Sequence, residues 1–115
     1  MEGIPTQSDA EKPKTYNLRL DGDVLKLSFG TPASNTEIVK DAVAEVRRLM
    51  ESGELVPEKV IKLNGPASLP VAVALTNSLA SSFEVIAVFD PKLNGYVVAI
   101  SSDSEHEVGS ILEAA

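Results

Sequence analysis

A chain of 115 residues, 43% hydrophobic and 23% charged, has the size and composition of one domain with a buried core. The absence of cysteine excludes a disulfide framework, a zinc ribbon and a thiol nucleophile. A formal net charge of −7 argues against general DNA or RNA binding through a basic field, but leaves room for a small phosphate site.

Residues 1–14 hold two prolines, one glycine and alternating charges, and are expected to form a flexible tail ahead of a single domain over 15–112. They lack the apolar stretch of a signal peptide. The run Leu69 to Leu79 is broken by Pro70 and by Thr76-Asn77-Ser78, far short of a membrane span. A soluble, cytoplasmic protein is the expectation.

Tyr16, Leu18 and Leu20 alternate with polar residues, as do Leu25, Leu27 and Phe29 after Asp21-Gly22-Asp23. Period two on both sides of an Asp-Gly turn predicts a hairpin. Ser34-Asn35-Thr36-Glu37 has capping-box spacing. Ile38, Val39, Ala42, Val43, Val46, Leu49 and Met50 follow at helical intervals, predicting a helix over 35–52 that ends at Gly53. Lys40, Glu45, Arg48 and Glu51 fall on its polar face, with Arg47 and Glu51 one turn apart.

Val60 to Leu63 reads as a short strand closed by Asn64-Gly65-Pro66, and a second helix is expected from about Ser68 to Ser81. Val85 to Phe89 is continuously apolar, as in a central strand buried on both faces. Asp90 to Gly95 is a turn, and 96–101 a returning antiparallel strand. The rest, from Ser102, is polar, with Val108, Ile111 and Leu112 as packing anchors and 113–115 as a tail. The order is β-hairpin, helix, strand, helix, strand, strand, and the unit over 60–89 should be a right-handed parallel crossover. The fold class is α/β: a mixed sheet with two main helices.

Few residues carry obvious chemistry. The single histidine, His106, lies in the acidic run Asp103 to Glu107, and no Gly-x-Ser-x-Gly elbow exists, so a nucleophilic triad is disfavoured. That run could offer metal oxygens, but its spacing matches no calcium loop, and a solvated tail is the commoner outcome. Gly65 before a helix start would let a phosphate approach backbone amides. Without a Walker or three-glycine motif, however, a plain loop is favoured. Asp90 ends the buried strand, where ligands gather in open α/β sheets, or simply opens an Asp-Pro turn. Lys92 could touch an anion but reads more simply as an exposed lysine. Lys62 could enter a phosphate pocket or, more simply, snorkel from an edge strand.

Val60-Ile61, Asn64-Gly65-Pro66, Val85 to Leu93, Gly95 and Val97-Val98 together resemble the Csx-three family, the CRISPR ring nuclease three proteins. Ser102-Asp103-Ser104 and Val108 to Ile111 resemble that family's C-terminal strand exit, so the resemblance covers about 58–112. It implies a small mixed α/β domain that forms homodimers and higher homo-oligomers. It also implies binding of cyclic tetra-adenylate, the messenger of type III CRISPR defence, and cleavage of it with manganese. Asn64, Gly65 and Ser68 would then lie near phosphate, and Asp90 would act in metal-dependent cleavage.

The chain departs from this pattern in several places. The family's loop usually has arginine where Asn64 stands, and histidines where Ser81 and Ser82 stand. A serine hydroxyl replaces neither a manganese ligand nor a proton carrier at pH 7. The expectation is therefore a type III CRISPR-associated domain that binds a cyclic oligoadenylate through Asn64, Gly65, Ser68, Ser81, Ser82 and Lys92, with cleavage weakened or lost. The alternatives are a manganese-dependent ring nuclease using Asp90 with Asp103, and a non-catalytic, homo-oligomeric interaction module.

Overall fold

Alternating apolar residues either side of Gly22 form the expected hairpin. In the computed structural model, which describes residues 13–114, β1 (Tyr16–Asp21) and β2 (Val24–Phe29) pair antiparallel, with Asp21 opposite Val24. Gly22 supplies the positive φ that the two-residue turn requires. Helix α1 (Asn35–Ser52) follows and stops at Gly53, whose φ of 84° terminates it in the left-handed region. Then come β3 (Glu58–Asn64), α2 (Leu69–Ala80), β4 (Phe83–Asp90), β5 (Gly95–Ser101) and a short β6 (Ile111–Glu113).

The six strands lie in chain order, β1-β2-β3-β4-β5-β6. The three central strands, β2, β3 and β4, are parallel, and both outer sides are antiparallel. This is the mixed α/β sheet with two helices read from the sequence. Two successive crossovers that step the same way across a sheet, each right-handed, must place their helices on the same face. Accordingly α1 and α2 pack together over one face, around Leu25, Ile61, Leu63, Val71, Leu75 and Ile86. On the opposite face Val85, Ala87, Tyr96 and Val98 form a second buried cluster, flanked by Val24, Val60, Phe89 and Leu112.

Several local expectations are corrected. Ser34 does not close a capping box: its Oγ pairs with Thr36 Oγ1 at 2.7 Å, and its carbonyl accepts from the amides of Glu37 and Ile38. Glu45, expected on the polar face of α1, is only 6% exposed, because the chain entering β1 crosses it and Lys14 pairs with it at 3.0 Å. Arg48 pairs with Glu45 as well, at 2.9 Å, and with Glu54 at 3.5 Å. Lys62 does not leave an edge strand, since β3 is interior; it lies over the Tyr96 ring.

The polar stretch after Ser102 also hides a strand. Ile111 pairs with Val97 and Glu113 with Gly95. Three residues carry too little periodicity to show this in advance. Residues 1–12 of the expected N-terminal tail, and Ala115, lie outside the described residues. Among the described residues no helix is long and apolar enough to cross a membrane.

Candidate functional site

Parallel strands gather their carboxyl ends at one edge of the sheet, and in this chain that edge holds most of the polar candidates. Asn64 ends β3 and Asp90 ends β4, its immediate neighbour. Because α1 and α2 both start from this edge, their N-termini meet: Ser68 Oγ donates to Asn35 Oδ1 at 2.9 Å. Ser68 also caps α2 by accepting from the Val71 amide at 3.4 Å. Between Asn64 and Ser68 the loop is anchored by Tyr16, whose hydroxyl donates to the Pro66 carbonyl at 2.6 Å. Burial pushes the Tyr16 phenol up to about 12.

On the face away from the helices, Asn64 Nδ2 donates to the Tyr96 hydroxyl at 3.2 Å. Lys62 Nζ lies 5.6 Å from the centre of the Tyr96 ring and 3.1 Å from Asp23 Oδ2. Lys26 stands beside Asn64 in register and directly opposite Arg19. Three cations therefore line this face near the edge, opposed by Asp21 and Asp23. Tyr96, Lys26, Arg19 and Asn35 escaped the sequence reading. The in-register meeting of Arg19 and Lys26 follows from a two-residue hairpin turn and was the one signal available.

Gly65 and Asp90 both have structural duties here, the ones that the plain-loop and Asp-Pro-turn readings describe. Gly65 has a φ of 138°, and a Cβ there would overlap the Leu27 carbonyl. Its need for glycine comes from close packing against β2. Asp90 Oδ1 accepts from the amides of Lys92, at 2.9 Å, and Leu93, at 3.3 Å, so its carboxylate holds the turn. Lys92 itself is exposed.

Ser81, Ser82 and Asp103 lie at the other end of the sheet. Ser81 caps the C-terminus of α2, and Ser82 lines a shallow polar depression with Glu58, Glu84 and Ser102. Ser102 donates its amide to the Glu84 carbonyl, which places Asp103 beside the start of β4, whereas Asp90 is at its end. Glu84 and Asp90 are six steps apart along the strand, roughly 20 Å at about 3.3 Å per step. Metal–oxygen bonds of about 2 to 2.5 Å leave no ion that both carboxylates of one chain could share. Asp90 and Asp103 of one chain do not fit the manganese pair of the ring-nuclease alternative, and among the described residues no three His, Asp or Glu side chains gather to hold a metal.

Asp103 instead pairs with His106 Nδ1 at 2.6 Å and with Lys59 at 3.6 Å. The His106 hydrogen bond, opposed by desolvation and aided by the Glu105 amide and the Lys59 charge, holds the Asp103 carboxyl below its usual range. Among the described residues no serine hydroxyl bonds to His106: Ser101 donates to the Asp103 carbonyl and Ser110 to that of Glu107. The pair has the base and its orienting carboxylate without a nucleophile.

No family model, curated protein or solved structure matches this chain.

Proposed function

We propose that the protein is a Csx-three-like domain that binds a cyclic oligoadenylate at the carboxyl edge of its parallel strands and does not cleave it. The observation that carries this reading is the Ser68–Asn35 contact, which sets two helix N-termini side by side next to Asn64. Amides at such ends favour phosphate, and on the neighbouring face Arg19, Lys26 and Lys62 against Asp21 and Asp23 leave one positive charge in excess on a molecule of net −7. The distance between Asp90 and Asp103 speaks against a two-carboxylate metal centre within one chain, so the non-cleaving reading is preferred to the nuclease. Binding alone could sequester the messenger or report its presence.

The test is titration of the protein with labelled cyclic tetra-adenylate, with and without manganese. Saturable, salt-sensitive binding is expected, with no linear product after long incubation, and with binding weakened about tenfold in Asn64→Ala. No saturable binding at millimolar ligand would overturn the reading. Linear product formed only with manganese would replace it by the ring-nuclease alternative.

A further inference from the structure

Helices pack about 8 to 10 Å apart and strands about 4.8 Å apart, so one helix covers about two strands. Helix α1 lies on β1 and α2 on β4, which leaves the place over β5 and β6 without a helix among the described residues. This trough has an apolar floor and an apolar wall. Val88, Val97 and Ile111 stand in register across β4, β5 and β6, with Val88 38% and Ile111 50% exposed. Ser78 of α2 faces α1, lining a groove with Val43 and Val46, so helical spacing sets Leu69, Val73 and Thr76 on the side away from α1. Leu69 and Val73 are 79% and 62% exposed, and the Thr76 hydroxyl is taken up by the carbonyls of Ala72 and Val73.

The charge around the trough has one sign. Strands β4, β5 and β6 and helix α2 hold no Lys, Arg or His, but three acids, Glu84, Asp90 and Glu113. Alternation along the strands puts all three on the helix side of the sheet. Glu84 and Asp90 share the side of Ile86 and Val88, and Glu113 shares that of Ile111. Asp90 and Glu113 flank Gly95 in register, in the row next to Val88, Val97 and Ile111 on this side. Lys92 is the one Lys or Arg after Lys62; it lies in the β4–β5 turn and leaves the acids in excess.

We infer that this trough docks a basic amphipathic helix of another protein. Its apolar stripe would rest on Val88, Val97, Ile111 and Val73, and its lysines or arginines would meet Asp90, Glu113 and Glu84. Shape selects a helix, because the trough is the vacant third place in the helix layer. Charge selects a basic one, because every charge on the surrounding strands is negative. A second copy has no such helix to offer. Its α2 is uncharged, and its α1 sets Lys40, Arg47 and Arg48 against Glu37, Asp41, Glu45 and Glu51. An anionic surface, whether lipid or nucleic acid, would face the same three carboxylates and be repelled. The inference goes beyond the ligand reading and does not depend on it.

Fluorescence anisotropy of the full chain with two labelled synthetic peptides of about 18 residues tests it, with circular dichroism to verify folding. Both peptides carry a leucine face; the other face is lysine in the first and glutamate in the second. The lysine peptide is expected to bind one to one, and the glutamate peptide not to bind. Val73→Asn and Ile111→Asn should weaken binding about tenfold or more while remaining folded, since both side chains are half exposed or more. Val88→Thr is a second floor variant should Ile111→Asn unfold. Glu113→Gln should weaken binding about threefold. Val56→Asn and Glu51→Gln, at exposed positions outside the trough, should bind like the wild type. No binding of the lysine peptide, equal binding of both peptides, or equal losses in trough and control variants would overturn the inference. So would a dimer of the chain, measured by sedimentation equilibrium, that Ile111→Asn dissolves, since the trough would then belong to a second copy.

Discussion

The backbone of Leu27 occupies the space that a side chain on Gly65 would need. The loop that leads from β3 into α2 is thereby pressed against β2, and this contact sets where Asn64 and Ser68 stand. Gly65→Ala must push two backbones apart and also adopt a φ of 138°. A loss of at least about 2 kcal/mol in urea unfolding is expected. An unchanged midpoint would contradict the packing role. Reduced ligand binding in such a variant would report a displaced loop, so Asn64→Ala is the cleaner probe of the edge.

Tyr16 holds the same loop one residue further on, at Pro66. Its ring is fully buried against Phe29, and its hydroxyl satisfies the Pro66 carbonyl. Tyr16→Phe should cost about 1 to 2 kcal/mol, because a partly buried acceptor loses its donor. Its phenol is raised from 10 to about 12, so the neutral form is the one folding favours. That contribution is complete below pH 10 and disappears as pH rises through about 12. Ultraviolet titration is expected to show one late-ionising tyrosine in the wild type and to lack it in Tyr16→Phe.

Glu45 joins α1 to the chain entering β1. Burial by itself raises its carboxyl, but hydrogen bonds and charge from Arg48 and Lys14 outweigh this and hold it below the ordinary 4.5. Folding therefore favours the ionised form. This stability is present above pH 4.5 and is lost as pH falls through the folded value. Glu45→Gln should cost about 1 to 3 kcal/mol at neutral pH and flatten the acid limb of the stability curve. The half-exposed partners, which water can solvate, keep the loss below that of a fully buried pair.

Asp103 organises the loop between β5 and β6 through its pairing with His106 and its bond to the Glu105 amide. Its lowered carboxyl means the contact is intact above pH 3.8 and fails as pH falls through the folded value. Asp103→Asn should speed exchange of the Glu105 and His106 amides at neutral pH and leave the β4–β5 ladder protected. Equal exchange in wild type and variant would show that the carboxylate does not hold the loop.

Much of the fold is written in short-range pattern. Period two in Tyr16 to Leu20 and Leu25 to Phe29, helical spacing in Ile38 to Met50, and the apolar run Val85 to Phe89 each set their element. Backbone geometry alone ties those spacings to strands and helices. The turn at Gly22 and the stop at Gly53 were equally legible, since both need a positive φ. Handedness then allowed one arrangement for the 60–89 crossover.

What joins those elements lay beyond such pattern. Glu45 has the spacing of a solvent-facing residue, and only the passage of Lys14, 31 positions earlier, makes it buried. Asp90 and Asp103, 13 positions apart, share a metal in the nuclease alternative, yet β5 carries the chain back along β4 and leaves them at opposite ends. Asn35 and Ser68 are 33 positions apart, yet two same-handed crossovers bring their side chains together. Local periodicity reports which face of its own element a residue occupies. Which elements meet, and at which end, depends on strand order and register, and these are set by packing between residues far apart in the chain.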